Sequence, residues 1–179
     1  MRVWVVVWLA AALAWAPGSK RMADGKVWTT ENLRVASVGS YCYDDREANC
    51  RQYGRLYTWE SAGRACRSLG TGWRLPTDSD WRGLAKAYGG IFDDSADKGK
   101  GAYHALMAGG RSGFEAVLGG GRSENGEYGR FEAHGFYWTA SEGEAGNAYY
   151  YNFGHGGLAL YRQNNGEKDR AFAVRCVRE

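Results

Sequence analysis

Four cysteines, three histidines and a late run of tyrosine and amide side chains are the groups in this 179-residue chain whose types and spacing could do chemistry. Cys42, Cys50, Cys66 and Cys176 could hold a metal as thiolates, supply a nucleophile, or pair as disulfides. No CxxC pair is present, which disfavours a four-thiolate metal site. His104, His134 and His155 fall in unrelated segments and there is no Gly-x-Ser-x-Gly elbow, so nothing assembles a hydrolase. Asn164, Asn165, Glu167 and Asp169 offer oxygen ligands at a spacing calcium could use, but a polar hairpin turn would show the same residues. The expectation is therefore no cofactor and no catalytic residue, with calcium as the one alternative.

The late run reads differently. From Asn147 to Asn165, tyrosine and amide side chains crowd two strands and their turn, a combination of broad contact area and adaptable hydrogen bonding of the kind antibody loops use. Tyr150, Asn152, His155, Tyr161, Gln163, Asn164 and Asn165 are the expected ligand-binding residues, placed outward. Tyr149 and Tyr151 alternate with them and are expected to face the core. The bland alternative is a sheet surface that binds nothing.

The elements that must position these groups can be read locally. Trp59, Ala62, Cys66 and Leu69 recur at helical spacing, and Gly70 ends that helix. Pro76-Thr77 opens a second, with Thr77 as cap and Asp80 in place of the usual Glu of a capping box. Trp81, Leu84, Ala85 and Tyr88 form its buried side, and Trp73, Trp81 and Trp138 are expected in the core. Gly25 to Val35 reads as two short extended pieces, and Gly89 to Gly135 as mostly ordered loops. Phe136–Ser141, Ala148–Phe153, Leu158–Arg162 and Ala171–Val177 suit an antiparallel sheet. In the last of these Phe172, Val174 and Cys176 share one face. Cys66 and Cys176 thus both lie on buried faces while Cys42 and Cys50 frame a short acidic loop, so the expected pairing is Cys42–Cys50 and Cys66–Cys176.

Length suits one domain with a real core. The 27 glycines and 15% aromatic content point to a loop-rich α+β fold rather than a helical bundle. A net charge of +3 with no basic cluster among the aromatics argues against nucleic acid as a partner. Met1-Arg2 followed by the uncharged run Val3 to Ala16 reads as a secretory signal peptide, residues 1–14 or possibly to 16, too short for a membrane span. The mature protein is then secreted, periplasmic or on the cell surface, with residues 25–179 as a single domain.

Tyr41-Cys42-Tyr43-Asp44-Asp45, Asn49-Cys50, Tyr53-Gly54-Arg55-Leu56-Tyr57-Thr58-Trp59, Gly72-Trp73-Arg74-Leu75-Pro76-Thr77 with Trp81, and Phe172-Ala173-Val174-Arg175-Cys176-Val177 together resemble the Fibrobacter succinogenes major paralogous domain. That family is similar to the C-type lectin-like fold and distantly to the formylglycine-generating enzyme domain. The resemblance implies two helices, a small twisted antiparallel sheet and a long Gly-rich loop region, with a helix-to-last-strand disulfide matching Cys66–Cys176. Arg67 stands where the family often has Pro, which leaves the first helix free to run on. A copper-dependent oxidase would need two reactive cysteines close together in the C-terminal half, where only Cys176 lies. The expected function is a non-catalytic binding or adhesion module for a glycan or protein ligand, the alternative being a structural surface protein that self-assembles.

Overall fold

The computed structural model describes residues 16–179, so the expected leader, residues 1–14, lies outside the described residues. Strands β1 (Ser19–Arg21) and β2 (Val27–Thr29) form a hairpin, which places ordered structure upstream of the expected start at Gly25. Then follow β3 (Ser40–Tyr41), α1 (Glu47–Tyr53), β4 (Leu56–Tyr57) and α2 (Trp59–Arg67). α2 buries Ala62, Ala65 and Cys66, and Gly70, at a φ of 111° that favours glycine, turns the chain away from it.

α3 (Asp78–Lys86) begins at the expected capping box: the Thr77 hydroxyl accepts from the Asp80 amide while the Asp80 carboxylate accepts from the Thr77 amide. Next come α4 (Lys100–Leu106), β5 (Gly121–Arg122), β6 (Tyr128–Gly129), β7 (His134–Glu142), β8 (Asn147–Gly154), β9 (Ala159–Glu167) and β10 (Val177–Arg178). The fold is α+β as expected, with four α-helices among the described residues where the resemblance implied two. The additional ones, α1 and α4, lie in the cysteine loop and in the glycine-rich region. None of the described helices is long and apolar enough to cross a membrane.

The antiparallel sheet β7-β8-β9 sits at the centre and is covered on both faces. On one face Tyr137, Tyr151, Phe153 and Leu160 meet Trp81 and Leu84 of α3 and Leu106 of α4. On the other Trp138, Ala148 and Tyr150 meet Tyr57, Ala62 and Cys66. Trp81 lies in the first cluster, stacked on Tyr151 at 5.0 Å and edge-on to Trp28 at 5.2 Å. Trp81 and Trp138 are fully buried, whereas Trp73 is partly exposed beneath the Arg178 guanidinium.

The segment 171–177, expected as one strand, is instead a buried thread that touches several elements in turn. Ala171 bridges Arg122, Phe172 bridges Tyr57, Ala173 bridges Tyr137, and Val177 bridges Arg74 and pairs with β2. Phe172, Val174 and Cys176 enter one core cluster, Ala173 and Val177 the other. Arg175 is buried in the middle, bonded to the Asn32 side chain and to the carbonyls of Thr29, Phe114 and Glu115, and burial lowers its pKa. Carbonyl dipoles thus replace a carboxylate partner. The disulfides are Cys42–Cys50 and Cys66–Cys176, the expected pairing; the second ties α2 to this thread.

Candidate functional site

The β5-β6 hairpin turns through Ser123-Glu124-Asn125-Gly126, and Gly121 pairs directly with Gly129 across it. These two glycines make a wall without side chains. A Cβ at Gly121 would stand 3.0 Å from the Phe172 ring, so close packing requires that glycine; Gly129 has an ordinary φ and open space around it. Behind the wall opens a cleft of about 320 Å³ floored by Phe136, Tyr150 and Phe172. The rings are in mutual contact, with Phe136–Phe172 at 5.0 Å and Tyr150–Phe172 at 4.9 Å, and Phe136 keeps part of its surface open. Such a floor is rigid, because each ring is wedged by the next.

Arginines surround it. The Arg122 guanidinium lies over the Tyr41 ring at 4.2 Å, and exposed Arg130 stands on the rim. Arg170 is held by Glu124 and Glu167, each at 3.0 Å. The Tyr128 hydroxyl donates to Asp45 at 2.7 Å, and burial, with Asp45 adding to it, pushes this phenol up to about 12, so it remains a donor. The site can present flat apolar faces, cationic donors and hydroxyls to a ligand, but no nucleophile beside a base.

Of the residues expected to bind, Tyr150 lines the cleft but is buried, 7% exposed, which corrects its outward placement. Both faces of the central sheet are covered, so period-two alternation does not separate core from surface there. Tyr151 is fully buried as expected, while Tyr149 is partly exposed beneath the Arg162 guanidinium at 4.1 Å. The Tyr150 hydroxyl donates to Asn165 Oδ1 at 3.3 Å and Gln163 pairs across from Tyr150, but neither Asn165 nor Gln163 lines the cleft. Asn152 and Tyr161 are directly paired one step along the same face, Asn152 bonded to His134 and Tyr161 stacked on Phe92. His155, in the β8–β9 turn, and Asn164 are exposed and do not line the cleft.

The oxygen ligands considered for calcium are partly committed, since Glu167 pairs with Arg170 and Asn165 accepts from Tyr150. Among the described residues the one close group of three metal-ligating types is Cys42, Glu47 and Cys50, whose sulfurs are joined as a disulfide. Sequence reasoning missed Arg122, Tyr128, Gly129, Arg130 and Phe136 as site residues. Asn125-Gly126 between two short extended pieces is a hairpin signal that would have pointed to them.

No curated protein and no solved structure matches this chain. A match to the Fibrobacter succinogenes major domain spans residues 19–178, from β1 through β10. The chain therefore belongs to the Fibrobacter succinogenes major domain family.

Proposed function

We propose that this domain is a non-catalytic binding module, exported to an oxidising compartment, that engages a glycan or protein ligand through the cleft between β5-β6 and β8. The observation that carries this reading is the partly exposed Phe136 ring, backed by buried Tyr150 and Phe172, beside the Gly121–Gly129 wall. Rings wedged by their neighbours lose little freedom when a ligand covers them. Two disulfides support the secreted, periplasmic or cell-surface placement. The link from α2 to the C-terminal thread is what a C-type lectin-like arrangement calls for, and that finer fold assignment belongs to the same reading.

An oxidase of the formylglycine-generating type would need free thiolates. All four cysteines are disulfide-bonded, and releasing Cys176 would cut α2 from the core thread. The reading invokes no cofactor. Screening the purified chain on glycan and protein arrays, with and without chelator, tests it. A partner retained in chelator and lost on Phe136→Ala supports the module; binding that vanishes with chelator promotes calcium, and assembly of the free chain on size exclusion with no partner favours a self-assembling surface protein.

A further inference from the structure

Resting on that reading, we infer that the cleft takes an acidic saccharide, its sugar ring laid on Phe136 and its anionic group held by Arg122 and Arg130. Electrostatics is the first support. Among the described residues neither guanidinium forms a salt bridge, although Arg170, which lines the same cleft, has two carboxylates. Glu127, the one carboxylate lining the cleft, is not ion-paired to either of them. Arg122 is also preoriented, because the Tyr41 ring supports its plane. A planar, prepositioned guanidinium is suited to bidentate recognition of a carboxylate or sulfate.

Backbone pairing is the second support, because it closes β5 to the commonest alternative. An extended peptide binds a sheet by adding to a free edge. β5 has none: it pairs with β6 on one side, and on the other Arg122 and Ala171 exchange both N–H···O bonds, at 2.9 and 2.8 Å. At β5 a ligand meets side-chain faces and rim groups rather than a free backbone edge. A sugar ring offers a C–H face to an aromatic floor and hydroxyls at its edge, where Ser123 and Tyr128 of the cleft lining carry hydroxyls of their own.

The third support is Gly129. Its backbone is ordinary and nothing lies within 4 Å of the position a Cβ would occupy, so neither strain nor packing demands glycine. In a strand glycine is unfavourable, and what its missing side chain preserves is the opening above the floor.

Calorimetric titration of the purified full chain with trigalacturonate, a hyaluronan tetrasaccharide, a heparin tetrasaccharide and neutral cellotetraose tests this. At least one acidic oligosaccharide should bind about tenfold or more tighter than cellotetraose, the carboxylated and sulfated probes telling which anion is preferred. Arg130→Gln, on an exposed side chain, should cut that preference, and Arg122→Gln with Arg130→Gln should erase it with little change in melting temperature. Gly129→Leu should abolish binding altogether by filling the cleft. Equal affinity for acidic and neutral probes, both lost on Gly129→Leu, would leave the binding-module reading standing and overturn the anionic preference. Acidic binding untouched by Gly129→Leu would move the site elsewhere, and no binding of any probe at millimolar concentration would overturn the saccharide inference; arrays that also found no partner would overturn the module itself.

Discussion

Two places among the described residues gather basic side chains, and they use them in opposite ways. At the start of α3, Arg74, Lys26, Asp80 and Glu179 form a closed network: Asp80 accepts from Arg74 at 2.5 Å and pairs with Lys26 at 2.9 Å, while Glu179 takes Lys26 at 2.8 Å and Arg74 at 2.9 Å. The same Asp80 carboxylate completes the α3 cap. At the cleft, Arg122 and Arg130 meet rings and solvent rather than carboxylates. The contrast teaches that Gly72-Trp73-Arg74-Leu75-Pro76-Thr77, the most recognisable motif in the chain, is committed to architecture. The cleft arginines Arg122 and Arg130 have no such commitment to a carboxylate.

The architectural side of this contrast should dominate stability. Removing the Cys66–Cys176 bridge as a double alanine variant should cost about 4.8 kcal/mol by loop-closure entropy, against about 2.5 for Cys42–Cys50, whose loop is far shorter. Urea denaturation of the two variants measures this, and equal losses would mean that the long bridge does not hold the core thread.

Trp81→Ala, one residue past the capping aspartate, should destabilise by roughly 3–5 kcal/mol because the ring is fully buried among Trp28, Phe114 and Tyr151. An unchanged melting temperature would separate α3 from the core.

Asp80→Asn should cost about 2 kcal/mol at neutral pH, as the partly exposed Arg74 and Lys26 lose the counter-charge of the buried Asp80 carboxylate. Burial opposes ionisation of Asp80, but Arg74, Lys26 and Thr77 outweigh it and hold the carboxyl well below the usual range. A depressed native pKa stabilises above the unfolded value of about 4 and is lost as pH falls below it. The wild type should therefore lose more stability than Asp80→Asn between neutral pH and pH 3, and parallel curves would place the network's strength elsewhere.

On the cleft side, the smallest effect is the informative one. Arg122→Gln with Arg130→Gln should shift stability by no more than about 1 kcal/mol, since the Arg122–Tyr41 cation–π contact is lost but no ion pair is. A loss comparable to that of Asp80→Asn would make these arginines structural and erase the distinction between the two regions.

Much of the scaffold was legible from local chemistry. The Thr77-Asp80 cap, the Gly70 stop and the helical spacing of Ala62 and Cys66 are each written within about one turn of helix, so they survive whatever packs around them. The cysteine pairing followed because both members of the core bridge lie on apolar faces. Membership of the family was also readable, because its motifs are these local anchors in a given order.

What the cleft is made of was not legible in this way. Tyr150 and Tyr151 have the same sequence signature, and only the covering of both faces of β7-β8-β9 decided that each is buried, one of them beneath the cleft. Arg175 reads as a solvent-facing charge in an alternating strand, yet carbonyls of Thr29, Phe114 and Glu115, distant in sequence, converge to receive it. Arg122 and Arg130 lie in a glycine-rich stretch without periodicity, and whether an arginine has a partner depends on which carboxylates the fold brings within about 4 Å. Sequence spacing specifies neighbours along a helix or strand; which charges meet, and which are left for a ligand, is decided by contacts between segments far apart in the chain.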